Sequence, residues 1–157
     1  MNTATPNSSA SESYELASDF LFPTDEPAVV TYTEPGEADR DELLLKKLGV
    51  RAWGRFHYFR EVFSGPWGDG KGKPLSPRAV ESFFSFIEKI EFRDGVQPSL
   101  FLTDDGHLEL CWEDSRGGAI QLEFGPLETE VFVEREEKED RVPNGALQEL
   151  AASLQFA

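Results

Sequence analysis

Between residues 76 and 154 the chain uses two hydrophobic periods, and each change of period marks a change of element. Val80, Phe83, Phe84, Ile87 and Ile90 fall at i, i+3, i+4, i+7 and i+10, one stripe of an amphipathic helix with Arg78, Glu81, Glu88 and Lys89 mostly off it. Ser76-Pro77 supplies an N-cap hydroxyl and a proline at the first helical position, and Arg93-Asp94-Gly95 with Pro98 signals the end. From Ser99 the period drops to two. Alternating runs at Ser99 to Thr103, His107 to Glu113, Ala119 to Phe124 and Glu128 to Glu134 are separated by Asp104-Asp105-Gly106, Asp114 to Gly118 and Gly125-Pro126, short turns between antiparallel strands. Leu108, Leu110 and Trp112, then Ile120, Leu122 and Phe124, then Val131 and Val133 share one face, which requires a cover. After a charged loop within VFVEREEKEDR, Pro143-Asn144 opens a second helix carrying Leu147, Leu150, Ala151 and Leu154 on one side. The expected fold is α+β: an antiparallel β-meander of about four strands packed on one face against two helices.

The opposite sheet face carries His107, Glu109, Cys111 and Glu113, then Gln121 and Glu123, then Glu128, Glu130, Phe132 and Glu134, a solvated acidic surface. Upstream the pattern is harder to read. Glu42 to Leu48 fits one or two helical turns. Trp53, Phe56, Phe59 and Phe63 fit a helical stripe, yet Arg55-Phe56-His57-Tyr58-Phe59 would serve equally as a strand. Gly54 and the aromatic density favour a strand or bent segment at residues 53 to 61.

Residues 1 to 18 hold almost no large apolar groups and read as disordered. In residues 19 to 35, Phe20, Leu21, Phe22, Val29, Val30 and Tyr32 sit among acids, and Pro23, Pro27 and Pro35 exclude a continuous helix. Such an arm orders on a partner or lies on its own domain as an edge strand, with Phe20, Leu21 and Phe22 as its anchor. The expected organisation is an acidic, mostly disordered arm at 1–41 and an α+β domain at 42–157.

Charge sharpens this picture. The 157 residues carry a formal net charge of -15, unevenly: -8 over residues 1–41, +4 over 42–93 and -11 over 94–157. Acidic ends around a basic centre can fold back on that centre or meet a basic partner. The single cysteine excludes an intramolecular disulfide framework and a multi-cysteine zinc site, and two histidines exclude a histidine-rich metal centre, so no cofactor is expected. No run approaches the roughly 18 apolar residues of a membrane span, and MNTATPNSSASESYE lacks the features of a secretory signal, so the cytoplasm is the expected compartment.

Three motifs suggest chemistry. Gly65-Pro66-Trp67-Gly68-Asp69-Gly70-Lys71 has P-loop spacing, but Gly72 stands where a magnesium-binding hydroxyl is needed, and Lys73 and Pro74 precede the helix. A structural loop fits better, with Trp67 buried as a plug and Asp69 bonded to local backbone. Arg51, Arg55, Arg60, Lys71 and Lys73 interleave with Trp53, Phe56, Tyr58, Phe59 and Trp67, the composition that single-stranded nucleic acid binding uses, although the -11 block would repel phosphate. Asp104, Asp105, His107, Glu109 and Glu113 lie close in sequence, yet acids on a turn and an open face are ordinarily solvated. His107 and Cys111, four apart on a strand, stand about 13 Å from each other, too far for a nucleophile and its base.

The stretch from Gly65 to Pro77 (GPWGDGKGKPLSP), the aromatic helix after it, and Pro98 to Glu113 (PSLFLTDDGHLELCWE) together resemble a group of small uncharacterised bacterial α+β proteins. These share a Trp-Gly-rich loop and a hairpin reading Pro-x4-Thr-x2-Gly-x3-Leu-x-Trp. The resemblance covers residues 50 to 135 and implies the fold and a bacterial, cytoplasmic origin, but no activity. The residues themselves point to a non-enzymatic protein-interaction module, an antitoxin-like, immunity-like or accessory partner of a basic protein. Its contact residues are expected at Phe20, Leu21, Phe22, Glu109, Glu113, Glu123 and Glu130. The alternative is a single-stranded nucleic-acid-binding protein using Arg51, Arg55, Arg60, Lys71 and Lys73.

Overall fold

The computed structural model describes residues 36–157, so the anchor Phe20, Leu21 and Phe22 and the expected disorder of the arm lie outside the described residues. Helix α1 spans Glu37–Leu48, with Glu37 and Asp39 in its first turn and Lys46 and Lys47 in its last, charges that complement the helix dipole. It begins five residues before the domain was expected to start. Gly49 ends it in the left-handed region (φ 84°), donating its N–H to the carbonyls of Leu44 and Leu45.

Helix α2 follows at Val50–Val62, which corrects the expectation of a strand or bend at 53 to 61. Ala52, Phe56 and Phe59, at i, i+4 and i+7, are buried together, whereas a strand would have put Phe56 and the half-exposed Tyr58 on one face. Burial of one helical stripe outweighs the local cost of Gly54. Arg60 closes the pair of helices with an ion pair to Glu37 at 2.6 Å.

Helix α3 spans Pro77–Lys89 as expected, with the Ser76 hydroxyl accepting from the Ala79 N–H at 3.3 Å. Its buried side includes Phe83, Phe84 and Ile87 from the stripe and also Phe86. Strands β1 (Ser99–Leu102), β2 (Leu108–Glu113), β3 (Ala119–Phe124), β4 (Glu128–Val133) and β5 (Lys138–Pro143) form one antiparallel sheet in chain order. Helix α4 spans Leu147–Ser153 and buries Leu147 and Ala151.

The α+β class therefore stands, with five strands rather than about four and four helices among the described residues rather than two. The charged loop is largely strand β5, reached through a short 3-10 turn (Glu134–Glu136) and Glu137 at φ 47°. Alternation could not reveal it, because KEDRVP has a single large apolar residue, Val142. Its pairing rests on backbone bonds to β4, and its charges are typical of an edge strand guarded against further pairing.

The four described helices pack on one sheet face. There Leu108, Leu110, Trp112, Ile120, Leu122, Phe124 and Val131 are buried, with the Phe124 ring 5.6 Å from Phe83 and 5.3 Å from Phe86. No helix among the described residues is long and apolar enough to cross a membrane.

Candidate functional site

The sheet face that no described helix covers is set by register. Glu109 of β2 lies opposite Glu123 of β3, Glu123 opposite Glu130 of β4, and Glu130 opposite Arg141 of β5. Phe101 of β1 stands opposite Glu109 at the other end. Three carboxylates thus follow one another across neighbouring strands, a juxtaposition that destabilises a sheet. The next row along reads Cys111, Gln121, Phe132 and Glu139. Between these rows lies an open groove of about 690 Å³, lined by Gln121, Glu123, Glu130, Phe132, Glu139 and Arg141.

The carboxylates are held differently. Arg141 bonds Glu130 at 2.9 Å and Glu128 at 3.3 Å, an exposed fork at the sheet edge. Glu123 Oε1 accepts from His107 Nδ1 at 2.8 Å and from the Thr103 hydroxyl at 3.3 Å, so the His107 proton sits on the nitrogen facing the carboxylate. Among the described residues Glu109 has only the Cys111 thiol, 3.4 Å away. Partial burial, with Glu109 beside it, pushes the Cys111 pKa up to about 12, which keeps it a protonated, unreactive thiol.

Glu113 is not part of this row. It pairs with Ala119 and borders a separate hollow of about 560 Å³ beside Arg93, Cys111 and Trp112. Glu139, Asp140 and Arg141 are the groove residues that reading from sequence missed, because β5 passed for a loop. A turn-forming Glu137 flanked by charges was the available signal.

The glycine-rich loop is a strap. Trp67 pairs with Gly72 across it, and its indole N–H donates to the Lys73 carbonyl at 2.7 Å. A side chain at Gly72 would occupy the Trp67 ring. Trp67 is half-buried against Phe63, 5.0 Å away, rather than a buried plug, and Asp69 contributes a left-handed backbone (φ 57°). The strap then fastens to the β1–β2 turn: Lys73 N–H donates to the Asp104 carbonyl, Ser76 N–H to the Gly106 carbonyl, and Lys73 Nζ meets Asp105 at 2.7 Å. That ammonium holds the Asp105 carboxyl below its usual range. The two motifs that carried the resemblance are therefore one packed unit.

The basic segment is used largely for packing. Arg55 donates to the Leu100 carbonyl at 2.9 Å and lies 4.8 Å over the Phe101 ring. Arg60 and Lys73 are paired with Glu37 and Asp105. Phe56 and Phe59 are buried in the core, while Tyr58 is exposed. Arg51 and Lys71 form no ion pair among the described residues, and they lie on different elements, a helix and the strap. Among the described residues no group of three His, Cys, Asp or Glu is placed to hold a metal ion. Comparison with protein-family models, curated proteins and solved structures finds no match.

Proposed function

We propose that this protein is a non-enzymatic interaction module whose outer sheet face receives a basic segment of a protein partner. The observation that carries this is the register row Glu109, Glu123, Glu130 beside the groove. Like charges directly opposite one another cost stability; of the three, Glu123 is the one tied to the β1–β2 turn, through His107 and Thr103, while Glu130 meets the exposed Arg141 and Glu109 the Cys111 thiol. Arg141 and His107 orient two of the three, which leaves the carboxylate oxygens arrayed for ammonium or guanidinium groups. Gln121 and Phe132 supply a polar and an apolar contact between the charged positions. An extended basic strand or a helix carrying Lys or Arg at regular spacing fits this surface.

The test compares wild type with the triple variant Glu109→Gln, Glu123→Gln, Glu130→Gln, each tagged and purified from the native host at moderate salt. A basic protein that co-purifies stoichiometrically with wild type and not with the variant supports the reading. Identical eluates sink it. Nucleic acid in both eluates, retained in a salt-dependent way, would transfer the activity to Arg51 and Lys71.

A further inference from the structure

Helix α2 presents a second surface, distinct from the carboxylate row. Val50, Gly54, Tyr58 and Val62 recur every four residues as one ridge along its outward side, and Val50, Tyr58 and Val62 are 68%, 54% and 51% exposed. Three large apolar side chains on one ridge contrast with Leu45, Leu127 and Phe156, which are exposed singly on other elements.

Gly54 is the second peculiarity. Glycine is the least favourable helix residue after proline, yet this one has ordinary helical backbone and nothing within 4 Å of where a side chain would begin. No contact among the described residues requires it. A missing side chain on an exposed apolar ridge leaves a notch for a neighbouring helix.

The ridge is also self-complementary. When two copies of α2 run antiparallel about a two-fold axis level with residue 56, Gly54 of each lies level with Tyr58 of the other, and Val50 with Val62. The same alignment sets Arg51 level with Glu61, two exposed side chains that form no ion pair among the described residues. Charge on the larger scale agrees. The chain carries -15, whereas α2 holds three arginines against one glutamate, so two copies repel each other less through this face than through the outer sheet.

We infer that the protein self-associates as a two-fold dimer through α2, with Tyr58 of each copy seated on Gly54 of the other and Arg51 paired with Glu61. A helix of 13 residues is only about 20 Å long, so the contact is small and the dimer weak, with a dissociation constant of about 10–100 µM.

Sedimentation equilibrium of the full chain from about 5 to about 300 µM spans that range. The mass should rise with concentration from 17.6 kDa towards twice that value. Arg51→Glu should weaken the dimer about tenfold, and adding Glu61→Arg should restore it. Gly54→Ala should raise the Tm of dilute monomer by about 4 °C while weakening the dimer, a pairing of effects that a purely structural glycine would not give. A monomer at every concentration overturns the inference. So does a dimer indifferent to Arg51→Glu, or one that the double swap fails to restore.

Discussion

The inner and outer faces of the sheet come from alternate residues of the same strands, so turns, register and backbone bonding are common to both. On the inner face every position from Leu108 to Phe124 that points at the helices is buried and apolar. On the outer face, register lines up carboxylates that repel. Stability thus resides mainly in one face, and the other carries charge that the packing of the core does not need. Helix α2 repeats the division, with Ala52, Phe56 and Phe59 turned inward and the Gly54 notch turned out.

The comparison can be broken most severely from the inner side. Phe124→Ala removes a fully buried ring from between Phe83 and Phe86 and should cost about 3–5 kcal/mol, read as a lower urea midpoint at unchanged slope. Gly106→Ala comes next, at about 2–3 kcal/mol. Its φ of 77° is strained for alanine, and the new methyl would collide with the Pro74 carbonyl.

The outer face should respond with the opposite sign. The triple glutamine variant that loses partner binding should unfold about 0.5–1 kcal/mol harder than wild type, because repulsion across the strands is relieved. A destabilised triple variant would show that the row supports the fold.

The smallest effect is a matter of pH. The Asp114 carboxyl lies below its usual value because it accepts from the Gly118 and Arg116 backbone N–H groups and from Arg135. A lowered folded pKa means that the unfolded chain binds this proton more readily. The stabilising contribution is therefore complete above the ordinary carboxylate pKa of about 3.9 and is lost as pH falls through the lowered value. Asp114→Asn should therefore lower stability at neutral pH and flatten the acid limb of the stability curve below about pH 4, so that variant and wild type converge in acid.

How much the sequence showed depended on whether one period dominated. Helix α3 and strands β1 to β4 were legible because each has a clean stripe or alternation and ends on a cap or glycine turn. Helix α2 was ambiguous because aromatic residues occupy its inner and outer sides alike, Phe56 and Phe59 against Tyr58, and tertiary burial decided between the readings. Strand β5 was invisible because it buries almost nothing and is specified by its neighbour's backbone. The acidic outer face could be read from period two. The opposition of Glu109, Glu123 and Glu130 could not, since register depends on how many residues each turn consumes. Arg141, which orients Glu130, vanished along with β5.

The chain order of the sheet has a consequence for how the protein is made. Every strand pairs with its immediate successor, so each hairpin can close within microseconds of leaving the ribosome. Helices α1 and α2 can pack on each other early, but their contact with the sheet is distant in sequence: Arg55 must find the Leu100 carbonyl 45 residues downstream. At a synthesis rate of about 5–20 residues per second, the gap between Val62 and Ser99 amounts to about 2–7 s during which their apolar sides lack the sheet. Leu147 and Ala151 of α4, translated after every strand, then join the core. Helices α1 and α2 are therefore, among the described residues, the part of a nascent chain that waits longest for its partner, and the meander is the template on which they finally pack.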